Sequence, residues 1–114
     1  MPFIDSKVNV KITVEQEKEL KTKLGKAIEL VPGKSENWLM LAFEDECNMY
    51  FQGDNSCKMA YVDVKVFGAE NKAAFANMTS AICDIFEDIL GIAPDKVYVK
   101  YEAVTNWGWN GSNF

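Results

Sequence analysis

Residues 58–102, KMAYVDVKVFGAENKAAFANMTSAICDIFEDILGIAPDKVYVKYE, decide the fold. KMAYVDVKVF (58–67) is rich in β-branched and aromatic residues and reads as a strand. Gly68 breaks it. Ala74, Met78, Ile82, Ile85 and Ile89 then recur at helical spacing, which predicts a helix over about 70–90. Gly91 supplies the left-handed residue that closes such a helix, and Pro94-Asp95 turns the chain. VYVKYE (97–102) is the next strand. A helix of this length between two strands implies parallel pairing and a right-handed crossover.

The first half of the chain repeats the pattern. PFIDSKV (2–8) is a short strand. Thr13 and Gln16 form a capping box that opens a helix over about 14–30. Leu20, Leu24, Ala27 and Ile28 fall on one face of it. Gly25 weakens this helix, and Pro32-Gly33 ends it. NWLMLAF (37–43) is a strand with a near-continuous apolar run, and 44–57 is polar, with Gly53-Asp54-Asn55 as turn chemistry. The expected architecture is α/β in the mixed, α+β sense. Two β-α-β units share one four-stranded mixed sheet with both helices on one face, in a single domain spanning 1–114. The sheet's other face then needs cover. The apolar run in NWLMLAF fits a strand buried on both sides, and so sheets from several copies packing together.

Composition removes several function classes. There are 12 Lys, no Arg and 17 Asp and Glu, for a net charge of −5. An acidic, Arg-free chain is a poor match for nucleic acid, which rewards clustered basic side chains. No apolar run approaches the roughly 20 residues of a membrane helix, and MPFIDSKVNV has no signal-peptide pattern. Cys47, Cys57 and Cys83 are three in number and form no C-x-x-C, which argues against a disulfide framework or zinc site. Free thiols in a reducing cytoplasm are the expectation. The consecutive acids Glu44-Asp45-Glu46 point in different directions from a strand end, so no metal site is expected there, and no cofactor. The absence of His removes the commonest general base.

The residues left to carry chemistry each admit two readings. Pro2 either starts an edge strand or, with Met1 removed, presents a secondary amine. Burial and a nearby cation would lower that amine's pKa toward neutrality. Lys34, after Pro32-Gly33 and before a strand, is either a solvated loop residue or a point charge for a carboxylate. Trp107, Trp109 and Phe114 either pack on the core or wall a pocket for an aromatic ligand. Tyr98 and Lys100 share one face of the last strand, as a cross-strand pair or as donors to an oxyanion.

The order of these pieces resembles the macrophage migration inhibitory factor family, including its D-dopachrome tautomerase-like members. MPFI at the start, Pro-Gly-Lys after the first helix, and APDKVYVKY followed by NWGWNGSNF carry the resemblance, which covers essentially the whole chain. It implies a homotrimer with active sites at subunit interfaces, the sheet's uncovered face lining the interior. It implies Pro2 as the catalytic base and Lys34 as the lysine that neutralises a substrate carboxylate. Phe67 falls where the family has an Ile whose backbone amide contacts substrate. Tyr98 matches a pocket tyrosine supplied by a neighbouring subunit. Lys100 stands where mammalian relatives often have Asn, and so would add a second cation. Trp107, Trp109 and Phe114 match the hydrophobic rim. The family's C-x-x-C redox motif is absent, since Ala60 follows Cys57 three residues later.

The implied activity is keto–enol tautomerisation of a small aromatic α-keto acid such as phenylpyruvate. An alternative of another class is a cytokine-like homologue that binds a receptor protein, with incidental tautomerase activity. Dehalogenation or decarboxylation on the same scaffold is disfavoured by the lack of Arg, which such relatives use. The implied location is cytoplasmic, or outside the cell by a non-classical route, as for mammalian relatives.

Overall fold

The computed structural model describes residues 1–114. Strand β1 (Pro2–Val8) is followed by helix α1 (Val14–Ala27), β2 (Met40–Glu44), β3 (Ala60–Phe67), helix α2 (Lys72–Leu90), β4 (Val97–Val104) and two short strands, β5 (Gly108–Trp109) and β6 (Ser112–Asn113). The main sheet has the order β2-β1-β3-β4. Both β1–β2 and β3–β4 are parallel, and β1–β3 is antiparallel. These are the two β-α-β units, joined through their first strands into one mixed sheet.

Local chemistry sets the helix boundaries. Thr13 Oγ1 accepts from Gln16 N–H at 3.2 Å and Thr13 N–H donates to Gln16 Oε1 at 2.9 Å, the reciprocal capping box. The α-helical hydrogen bonding stops at Ala27 rather than continuing to 30. Residues Ile28–Leu30 tighten into a 3-10 turn because Pro32 forces Val31 into extended backbone. Helix α2 starts at Lys72, where the Asn71 side chain accepts from Ala74 N–H at 3.0 Å, and Gly91 closes it at φ +69°. Its buried stripe is Ala74, Met78, Ile82, Ile85, Phe86 and Leu90. Ile89, placed on that stripe by its spacing, is only partly buried, and Phe86 holds the centre instead.

The core lies between the helices and one face of the sheet. Ile4 and Val8 of β1 and Val62, Val64 and Val66 of β3 meet Leu20, Leu24 and Ile28 and the α2 stripe. On the other face, β1 shows Phe3, Asp5 and Lys7, β3 shows Tyr61, Asp63, Lys65 and Phe67, and β4 shows Tyr98, Lys100 and Glu102. No helix covers this side. It is laced with charge rather than apolar, as Asp63 takes Lys65 at 2.7 Å and Lys100 at 3.8 Å, and Lys7 approaches Glu44 at 3.9 Å.

Two expectations shift. Residues Glu36–Trp38 form a 3-10 turn, so the strand begins at Met40 instead of Asn37. It is an edge strand of this chain's sheet, and Met40 is 68% exposed in the single chain. The aromatic tail is also more ordered than a turn-rich segment. Asn110 (φ +54°) and Gly111 (φ +85°) make a two-residue loop that pairs β5 with β6.

Candidate active site

The head of β1, the turn before β2 and the C-terminal hairpin converge on one cleft of about 560 Å³. Its walls are Met1 with Pro2 and Phe3 of β1, Asn37, Trp38, Leu39 and Met40 from the 36–40 segment, and Trp107, Gly108 and Trp109 from the tail. Parallel pairing explains the convergence. Phe3 lies opposite Met40 on one side of β1, and Pro2 lies opposite Val66 on the other. The Trp38 and Trp109 rings meet edge to face with centroids 5.2 Å apart, so the turn and the hairpin touch at the cleft's rim.

Lys34 is bound at the same end. Its Nζ donates to the Phe67 carbonyl at 2.7 Å, and the Phe67 N–H donates to the Met1 carbonyl at 2.9 Å. The amine that heads the chain, carried here by Met1, is held below the ordinary α-amino value. Burial is the larger cause, followed by the charge of Lys34 and its hydrogen bond. The cleft thus joins a depressed Met1 amine, with the Lys34 ammonium next to it, to three indole rings along its walls. That combination suits a carboxylate with an aromatic group attached.

The remaining sequence candidates lie elsewhere. Phe114 packs its ring on Phe67, centroids 5.4 Å apart, and its N–H donates to the Trp107 carbonyl, so it braces the tail behind the cleft. Tyr98 and Lys100 sit toward the opposite end of the sheet. Val66, the partner of Pro2, faces Ala103, and Tyr98 is five residues back from there along β4. At about 3.3 Å per residue that is roughly 17 Å away. Tyr98 is 63% exposed. Lys100 is bonded to Glu102 at 2.5 Å and close to Asp63, and these acids hold its ammonium above the ordinary lysine range. Within one chain, then, Pro2, Lys34, Phe67, Trp107 and Trp109 come together and Tyr98 and Lys100 do not.

The family model described as macrophage migration inhibitory factor matches residues 1–114. The chain belongs to the macrophage migration inhibitory factor family. The mouse factor is 32% identical over 88 residues, covering 72% of each chain. Among solved structures, Leishmania major MIF2 superposes with a TM-score of 0.92 at 32% identity, covering 100% of this chain and 97% of the other. The homologue from Prochlorococcus marinus gives 0.88 at 31% identity, covering 98% of both. The family's mixed sheet with two helices is the architecture of this chain.

Within this family member, sequence reasoning missed the 37–40 wall. Asn37, Trp38, Leu39 and Met40 were read as strand interior because NWLMLAF is apolar throughout. Trp38 stands only four positions after Lys34 and lines the cleft at the end of the sheet where that turn lies. No helix of the chain is long and apolar enough to cross a membrane.

Proposed function

We propose that this family member is a keto–enol tautomerase of phenylpyruvate-like α-keto acids, acting through Pro2 once Met1 is removed. The observation that carries the reading is the cleft at the head of β1, where Pro2 lies among Trp38, Trp107 and Trp109 and Lys34 bonds the nearby Phe67 carbonyl. Loss of Met1 shifts the free amine to the Pro2 ring nitrogen. It also releases the Phe67 N–H from the Met1 carbonyl.

In the proposed reaction the neutral Pro2 nitrogen takes a proton from the carbon next to the substrate carbonyl. The C–H electron pair becomes the C=C bond of the enolate, and negative charge moves to the carbonyl oxygen. Lys34 holds the carboxylate, and the ring lies against the indoles. The freed Phe67 N–H, or the Tyr98 phenol of a neighbouring copy, stabilises the oxyanion. The protonated Pro2 then gives that proton to the oxygen, which forms the enol and restores the neutral amine, and the reverse path returns the ketone. No net oxidation occurs. Positioned acid–base catalysis of this kind contributes about 10²–10⁴-fold.

The site is proposed to be shared within a homotrimer. The uncovered sheet face and the roughly 17 Å between Pro2 and Tyr98 along the sheet support that reading. The experiment is complementation. Pro2→Gly and Tyr98→Ala are each expected to lower phenylpyruvate turnover at least about 10-fold. Co-refolding the two in equal amounts restores activity, because about one site in four then pairs an intact Pro2 with an intact Tyr98. Full activity in Pro2→Gly overturns the catalytic assignment. Two defective variants that never complement overturn the shared site.

A further inference from the structure

We infer that Phe51 is a positioning residue for Tyr98, and that the turn carrying it exists to seat that phenol for the site of a neighbouring copy. The inference rests on the proposed role of Tyr98. Phe51 lies in the long polar segment between β2 and β3, yet that segment folds back onto the start of β4. The Phe51 ring meets Tyr98 edge to face, centroids 5.0 Å apart and planes at 68°. This geometry places ring edge against ring face, the attractive arrangement for an aromatic pair. The Lys96 ammonium lies 5.3 Å from the centroid of the same Phe51 ring, in cation–π range.

The turn itself is tightly made. Phe51 and Asp54 exchange both backbone hydrogen bonds, at 2.9 and 3.0 Å. Gln52 (φ +55°) and Gly53 (φ +77°) between them are both left-handed, as a tight two-residue loop requires. Asp54 in turn accepts from Ser56 N–H at 2.9 Å and Ser56 Oγ at 2.8 Å. A non-glycine residue in the left-handed region and a closed hydrogen-bond set hold one aromatic ring in place, and that ring's aromatic partner is a tyrosine that is 63% exposed. Most of Tyr98 therefore faces outward while one side of its ring rests on Phe51. A phenol that must reach another copy's cleft needs its direction set from within its own chain, because a wrong rotamer would forfeit the contact.

The test is a double-mutant cycle on phenylpyruvate turnover, combined with ¹⁹F NMR of protein labelled with fluorotyrosine. Phe51→Leu keeps an apolar side chain and removes the ring. Gly53→Ala adds a methyl group with nothing within 4 Å of it, but strains the turn at φ +77°. Each is expected to lower kcat by several-fold to about 10-fold, and to do nothing further in a Tyr98→Ala background. Each also shifts and broadens the Tyr98 resonance, assigned by Tyr98→Phe. A Tyr98→Ala enzyme with full activity overturns the proposed role of Tyr98 and this inference with it. If Tyr98→Ala is defective but Phe51→Leu retains kcat and an unmoved Tyr98 resonance, the positioning role alone is overturned. Losses from Phe51→Leu that simply add to those of Tyr98→Ala overturn it as well.

Discussion

Lys34 acts on two groups at once. Its ammonium bonds the Phe67 carbonyl and lowers the pKa of the Met1 amine, and it is expected to do the same to a Pro2 amine that takes that place. A base works in its neutral form, so activity rises as pH climbs through that amine's pKa. Lowering the pKa brings the rise to lower pH. Lys34→Ala removes a cation, and the amine then holds its proton more firmly. The acid limb of the kcat/KM profile is expected to move to higher pH, and KM for the carboxylate substrate to increase. A limb that stays put in Lys34→Ala would separate this lysine from the base. Much of this was legible at the residue scale, because Met-Pro and Pro-Gly-Lys stand at fixed places in the order of elements. The Phe67 backbone contacts were not, since a main-chain hydrogen bond leaves no mark on residue identity. Trp38 was hidden inside an apolar run whose periodicity does not say where a strand starts.

Elements were read best where caps and spacing agreed. The Thr13–Gln16 box and Gly91 locate one end of each helix, and the structure uses both. Gly25 is the instructive exception. By propensity it is a flaw in α1. In the structure a Cβ added at Gly25 would lie 2.6 Å from Glu36 Cδ, so the glycine is where the Glu36 carboxylate rests. Glu36 also approaches Lys21 at 3.4 Å and opens the 3-10 turn that carries Asn37 and Trp38 to the cleft. Gly25→Ala should therefore stabilise the protein by less than the ~1 kcal/mol expected of an exposed helix position. In a Glu36→Ala background the full gain should return, as judged by urea unfolding. Equal gains in both backgrounds would mean that the contact is immaterial. The C-terminal hairpin shows the opposite lesson. Asn110-Gly111 is a strong turn signal, but only two residues pair on either side of it, too few to read as strands from alternation.

At the scale of the whole molecule, the topology followed from two β-α-β units in one chain, because crossover handedness and helix length leave few arrangements. The nature of the open sheet face did not follow. Apolar NWLMLAF fits a strand buried on both sides, and within one chain the open face carries the ion-paired Asp63, Lys65, Lys100 and Glu102. Alternation is legible in sequence, but whether the outward set meets solvent or another copy depends on partners that the chain's own pattern does not record. The same dependence leaves Tyr98 stranded far from Pro2 within one chain. The proposed catalysis depends on a free ring nitrogen at residue 2. Separating processed protein from protein that retains Met1, confirming each by intact mass, and assaying phenylpyruvate enolisation on both is the most direct measurement of it. Turnover confined to the fraction that begins at Pro2 is the predicted result. Equal turnover in the fraction that keeps Met1 would contradict the account.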